Sequence, residues 1–181
     1  MASNTTIETN RLILRPWKAS DTLPFAQLNQ DHKVTEFLYQ PPATLESAQA
    51  RIDYFMQHLA KYGFTFWAAE LKQNHTFIGF IGLAHVITPP LAPAIEIGWR
   101  LASQYWNQGL ATEGAQTVLS FAFNQLNLPE IIAFTATQNL RSSRVMKKIG
   151  MQYNPQDDFL HPALPANHPL APHLLYRIKN L

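Results

Sequence analysis

The chain has 181 residues, of which 46% are apolar and only 14% charged. That is enough apolar material for one sizeable core, which excludes a disordered chain, and a net charge of +2 excludes strong attraction to nucleic acid or to an anionic membrane. Cysteine is absent, which excludes disulfides, thiolate metal sites and a cysteine nucleophile together, and fits a reducing compartment.

Met1 to Asn10 is polar and lacks the apolar stretch of a signal peptide, and the longest apolar run, Phe77 to Ile87, is too short to span a bilayer. The expectation is a single cytoplasmic domain over residues 1–181. Thr6 to Arg15 alternates and predicts a first strand, ended by Pro16. Asp21 is placed to cap a helix carrying Phe25, Ala26 and Leu28. After Pro41-Pro42, Thr44 caps a second helix over Leu45 to Tyr62, whose Ala48, Ile52, Phe55, Met56 and Leu59 follow helical spacing, and Gly63 closes it. Three strands follow, Thr65 to Lys72, Thr76 to Val86 and Ala94 to Leu101, with a turn at Gln73-Asn74-His75.

A long helix over Leu110 to Asn127 carries a stripe of Ala111, Ala115, Val118, Leu119, Ala122 and Leu126. Glu130 to Thr137 reads as a strand, Arg141 to Ile149 as a short basic helix closed by Gly150, and Asn154 to Pro172 as a loop with five of the 13 prolines. His173 to Lys179 is the last strand. The fold class is mixed α/β (α+β), with a mostly antiparallel central sheet flanked by helices.

The stretch from Glu96 to Met151 carries the chemistry. In Tyr105-Trp106-Asn107-Gln108-Gly109-Leu110-Ala111-Thr112-Glu113 a strand gives way to a loop with small residues and then to a long helix. Small residues let the backbone approach a ligand, and first-turn N–H groups lack partners inside the helix, so the junction is an anion site in form; a plain strand-to-helix turn has the same residues. One strand later comes Asn139-Leu140-Arg141-Ser142-Ser143-Arg144-Val145-Met146-Lys147-Lys148-Ile149-Gly150-Met151.

With these two segments, the chain resembles the GNAT superfamily of N-acetyltransferases, and within it the branch of ribosomal-protein N-terminal (alanine) acetyltransferases. Ile7-Glu8-Thr9-Asn10-Arg11-Leu12-Ile13-Leu14-Arg15 is similar to that branch's opening strand, Phe77-Ile78-Gly79-Phe80-Ile81-Gly82-Leu83 to its third, and Ile95-Glu96-Ile97-Gly98-Trp99 to its fourth. The resemblance implies acetyl-CoA as co-substrate, with its pyrophosphate on the backbone N–H groups of Gln108, Gly109, Leu110, Ala111 and Thr112. It implies pantetheine lying as an added strand between two splayed strands, a hydrogen bond from Asn139 to it, and an oxyanion site at the N–H of Ile97 or Trp99. Many members use a tyrosine as the acid that protonates the leaving thiolate; the matching position here is Met146, which cannot donate a proton. In this branch an early serine of the helix is implied instead, Ser142 with Ser143 as reserve.

Glu96 is the candidate base. A peptide α-amine titrates near about 8, against about 10.4 for lysine, so a carboxylate acting through water suffices for it. An ion pair or a loop hydrogen bond is the competing role for Glu96, helix capping for Asn139, and a helix-start preference for Ser142. Arg141, Arg144 and Lys148 share a helical face, either solvated or directed at the coenzyme's 3′-phosphate. The seven histidines match no zinc spacing, so no metal is expected. Trp17, Phe37, Tyr39 and Trp67 are candidates for an acceptor pocket or for the core. The function expected is direct acetyl transfer to an amine, from a protein N-terminus or a small molecule, by a monomer or homodimer. A non-catalytic acyl-CoA sensor of the same fold is the alternative.

Overall fold

The computed structural model describes residues 5–180; the first four residues of the polar N-terminal segment lie outside them. The predicted opening strand is instead a hairpin of β1 (Ile7–Glu8) and β2 (Leu12–Arg15), with Ile7 opposite Leu14. Thr9 makes the turn: its Oγ1 accepts the N–H groups of Arg11 and Leu12 at 3.2 and 2.8 Å. Alternation continues through such a turn, so the pattern alone does not betray it.

Helix α1 (Thr22–Leu28) begins after Asp21, but the Asp21 side chain does not cap it. Its carboxylate accepts from Arg15 at 2.8 and 2.9 Å and from the Lys18 N–H at 2.8 Å. A single turn, α2 (His32–Thr35), capped by Asp31, is too short to carry a sequence period. Helix α3 (Leu45–Tyr62) has the expected ends: Thr44 Oγ1 accepts the Ser47 N–H at 3.0 Å, and Gly63 stops the helix at φ +79°.

Then follow β3 (Phe66–Leu71), β4 (Phe77–Val86), β5 (Ala94–Leu101), α4 (Leu110–Asn124), β6 (Glu130–Ala136) and α5 (Leu140–Lys148). Helix α4 stops short of Asn127, which takes φ +52°, and the chain returns when the Leu128 N–H donates to the Ala122 carbonyl. The proline-rich segment is not a bare loop. Within it lies the short strand β8 (Phe159–Leu160) and just before it β7 (Gln152–Tyr153), and both pair with β9 (Pro172–Lys179).

The sheet order is β1-β2-β3-β4-β5-β6-β9-β7, with β8 also on β9, and every pair is antiparallel except β5 with β6. On one face Leu12, Ile81, Leu83 and Ile97 pack under Ala115, Val118 and Ala122 of α4. Gly114 allows this close approach, since a Cβ there would lie 2.4 Å from Ile81 Cδ1. On the other face Trp17, Phe25, Ile52, Phe55 and Phe80 form an aromatic-rich layer with α1 and α3. Among the described residues no helix is long and apolar enough to cross a membrane.

Candidate active site

The loop before α4 has the form an anion needs. Asn107 and Gly109 both take positive φ, +60° and +78°, and no side chain caps the helix. The first-turn N–H groups of Leu110, Ala111 and Thr112 therefore have no capping acceptor, while Gln108 and Gly109 stay exposed and the Leu110 side chain anchors in the core. From the far side of the sheet, the β1–β2 hairpin clamps this loop. Arg11 donates from Nη1 to the Gln108 carbonyl at 2.9 Å and from Nε to Glu113 at 2.7 Å. Glu113 also accepts the Arg11 N–H at 2.8 Å and the Thr9 hydroxyl at 2.5 Å.

Beside this loop the sheet opens. Strands β4 and β5 share eight registered pairs, but β5 and β6 share only one, Glu96 with Ile132. The Leu83 N–H donates to Thr65 on the β3 side. The Leu83–Ile97 pair is thus the non-hydrogen-bonded kind, and by alternation Ile97 and Trp99 turn their N–H and C=O groups toward β6. A parallel bridge at Glu96 is made by its flanking residues, which occupies the Ile97 N–H. The Trp99 N–H is the first to face the open wedge beyond the bridge.

Glu96 stands at the vertex of that wedge, on the face opposite α4. It lines a cavity of about 500 Å³ shared with Arg51, the 85–91 loop, Phe134 and Phe159. Its carboxyl has no hydrogen bond or ion pair among the described residues, and burial pushes it up to about 7. A second cavity of about 210 Å³ adjoins through Phe134 and His161, and is lined by Phe37, Tyr39 and His173.

At the start of α5, Asn139 Oδ1 accepts the Ser142 N–H at 3.2 Å, and Asn139 Nδ2 donates to Ser142 Oγ at 3.2 Å. The Ser142 hydroxyl is half-buried and its own proton has no acceptor among the described residues. Ser143 is buried, and its hydroxyl donates to the Leu140 carbonyl at 3.1 Å.

The acetyltransferase (GNAT) domain family matches residues 11–152. The chain belongs to the GNAT acetyltransferase family. It is 31% identical over 146 residues to the uncharacterized N-acetyltransferase YnaD of Bacillus subtilis (strain 168), covering 81% of this chain and 82% of that one. A GNAT-family acetyltransferase structure from Bacillus anthracis superposes with a TM-score of 0.80 at 25% identity, covering 97% of this chain and 99% of that one. RimL, a ribosomal L7/L12 alpha-N-protein acetyltransferase in complex with coenzyme A, shares the fold with a TM-score of 0.78 at 16% identity, over 97% and 98% of the two chains.

As a GNAT member, the chain is an acetyl-CoA-dependent acetyltransferase, and a non-catalytic sensor is not favoured. In this GNAT structure the predicted loop Gln108–Thr112, the strand residues Ile97 and Trp99 and the Asn139–Ser142 pair all border the open wedge or the helix ends beside it. Asn139 does cap its helix, so that competing role is realised. Arg141 leaves the expected basic face: it pairs with Glu36 at 3.0 Å, and its guanidinium lies 4.3 Å from the Trp106 ring centroid. Lys148 and Arg144 remain exposed. Met146 is a core residue at 2% exposure, and Trp17 and Trp67 are core residues as well, whereas Phe37 and Tyr39 line the smaller cavity.

Sequence reasoning missed the Thr9–Arg11–Glu113 clamp, in which Glu113 lies 104 and 102 residues from its two partners. Replacing Arg11 with Ala frees the Gln108 carbonyl. The expected result is a rise in KM for acetyl-CoA of about five- to tenfold with little change in kcat, because a half-exposed charged hydrogen bond is worth about 1 kcal/mol. Steady-state kinetics with acetyl-CoA as the varied substrate checks it.

Proposed function

We propose that this GNAT protein acetylates a primary amine, of a protein N-terminus or a small molecule, by direct attack in a ternary complex. The observation that carries the reading is Glu96: an unpartnered carboxyl at the vertex of the β5–β6 wedge, lining a cavity and raised by burial to about 7. A base with that affinity for protons suits removal of a proton from an α-amine near neutral pH.

In this reading the amide groups from Gln108 to Thr112 hold the pyrophosphate of acetyl-CoA, and Asn139 and the edges of β5 and β6 hold its pantetheine arm. Exposed Lys148 supplies a positive charge for the 3′-phosphate. Glu96 takes the amine proton directly or through one water as the nitrogen attacks the thioester carbonyl. The Trp99 N–H, with Ile97 as its neighbour on the same edge, donates to the developing oxyanion. Carbon–sulfur cleavage then restores the carbonyl, and the Ser142 hydroxyl gives its proton to the departing thiolate and regains one from solvent, to which Glu96 releases the amine proton. Ser142 is preferred over Ser143 because the Ser143 proton is already committed to Leu140. Preorganisation of amine against thioester supplies much of the rate. The lack of cysteine fits a reducing compartment, and we place the reaction in the cytoplasm, with the enzyme a monomer or homodimer.

Release of free CoA with a panel of amines and N-terminal peptides tests the reading. Ser142→Ala is expected to lower kcat by about 10²-fold, at the low end for an acid–base group, and Ser143→Ala to leave it within about twofold. Unchanged rates in Ser142→Ala and Glu96→Gln together would remove the assigned chemistry.

A further inference from the structure

The charge of the large cavity is uneven. Four titratable side chains line it: Arg51 of α3, His85, Glu96 and His161. Burial lowers the affinity of both imidazoles for protons, His85 with a further push from Lys61, so both stay neutral near pH 7. Glu96 is half protonated there. The guanidinium of Arg51 is the one permanent charge on the wall, and it is exposed, with no hydrogen bond or ion pair among the described residues.

A second guanidinium reinforces it. Arg100 lies on the same face of β5 as Glu96, two alternations along, and is half-buried without a carboxylate partner. It donates to Asn29 Oδ1 and lies 5.4 Å from the Phe80 ring centroid. Burial, and after it the field of Arg51, lowers its proton affinity to about 10. Other arginines of the chain, Arg11, Arg15, Arg141 and Arg177, are matched to carboxylates. Of the three without a carboxylate among the described residues, Arg144 is exposed on α5, and the other two, Arg51 and Arg100, belong to the acceptor side of the sheet.

Resting on the amine-acetylation reading, we infer that the acceptor carries an anionic group, a carboxylate, that pairs with Arg51 while its amine reaches Glu96. An unpaired guanidinium binds carboxylates strongly because its fork of N–H donors matches two acceptor oxygens. The same positive wall repels polycationic amines, so a polyamine or an aminoglycoside is a poor substrate. A free amino acid and a peptide N-terminus with an acidic neighbour both supply this chemistry.

Matched acceptors separate these sources: alanine against alaninamide for a free α-carboxylate, and Ala-Glu-amide against Ala-Gln-amide for an acidic side chain. The readout is how Arg51→Gln changes each KM, so differences in amine basicity cancel. Expected is a rise of about fivefold or more for at least one carboxylate-bearing member, with its neutral partner and acetyl-CoA unchanged, and partial rescue by Arg51→Lys. Equal changes for charged and neutral members overturn the inference. Arg51 is exposed and unpartnered, so thermal unfolding of the variant should match wild type. Should no amine be turned over, the amine-acetylation reading fails alone. Calorimetry of N-acetylalanine and N-acetylalaninamide on CoA-loaded protein then decides: a preference for the anion that Arg51→Gln abolishes supports the site, and equal binding overturns it.

Discussion

Glu96→Gln is expected to lower kcat/KM by about 10²- to 10³-fold, in the range for loss of a general base. The pH profile supplies a sharper signature. Burial raises the Glu96 carboxyl from 4.5 to about 7, so below pH 7 the wild-type rate should fall about tenfold per unit beyond the fall due to amine protonation. The variant should lose that limb and keep only the titration of the amine. Stability moves the other way. The folded chain holds the Glu96 proton more tightly than the unfolded chain, so this contribution is fully present below about 4.5 and is lost as pH rises through about 7. Glu96→Gln should therefore be more stable than wild type above pH 7, by on the order of 2 to 3 kcal/mol. Thermal unfolding at pH 5 and pH 8 reads this out. A variant both slower and more stable distinguishes a functional carboxyl from a structural one.

The largest loss of stability is expected at Arg15. Its guanidinium donates to Glu70 at 2.5 Å and to both oxygens of Asp21, and all three side chains are buried. Arg15→Met leaves buried Asp21 without a cation and Glu70 with only Lys18 at 3.7 Å and His75 at 2.7 Å, which should cost about 3 to 5 kcal/mol in urea unfolding at pH 7. Burial by itself would raise the Glu70 carboxyl, but Arg15 and His75 more than offset it and hold it below 4.5. In wild type that stabilisation is present above the ordinary carboxylate range and fades as pH falls through the folded value. The variant has no such benefit to lose, so the gap between the two proteins should narrow at pH 4. Because Arg15 joins β2, β3 and the entry to α1, a loss confined to the coenzyme KM would contradict this account.

The parts of the site legible in the sequence are those where local backbone demand and residue type coincide. Gly109 before a long helix announces a left-handed residue at an uncapped helix start, and the structure has both. Glu96 is placed by strand alternation, and the register with Ala84 puts it on the face opposite α4. Thr44 and Gly63 delimit α3 because capping is a matter of neighbouring residues. What depends on distant pairing was hidden. Thr9 and Glu113 meet across 104 residues, and nothing in either neighbourhood hints at the other. Arg141 looked like part of a helical basic face, yet Glu36 and Trp106, brought beside it by other elements, claim it. The short β7 and β8 exist because β9 offers free edges at those points; two residues carry no period by which to find them. Asp21 illustrates competition: a residue suited to capping was taken by a stronger partner, Arg15.

The wedge between β5 and β6 separates two tasks that many enzymes entangle. In the mechanism we propose, grip on the nucleotide thioester comes from main-chain groups along strand edges and a helix start, which depend little on residue type. In the proposed reading, choice of amine comes from the side chains lining the large cavity, such as Arg51, Phe134 and His161, carried on α3, β6 and the return segment before β9. Lineages can exchange the latter without disturbing the former. That is a physical reason why a backbone shared at TM-scores of 0.75 to 0.80 tolerates wide drift in what stands on it, and why the donor is easier to infer than the acceptor.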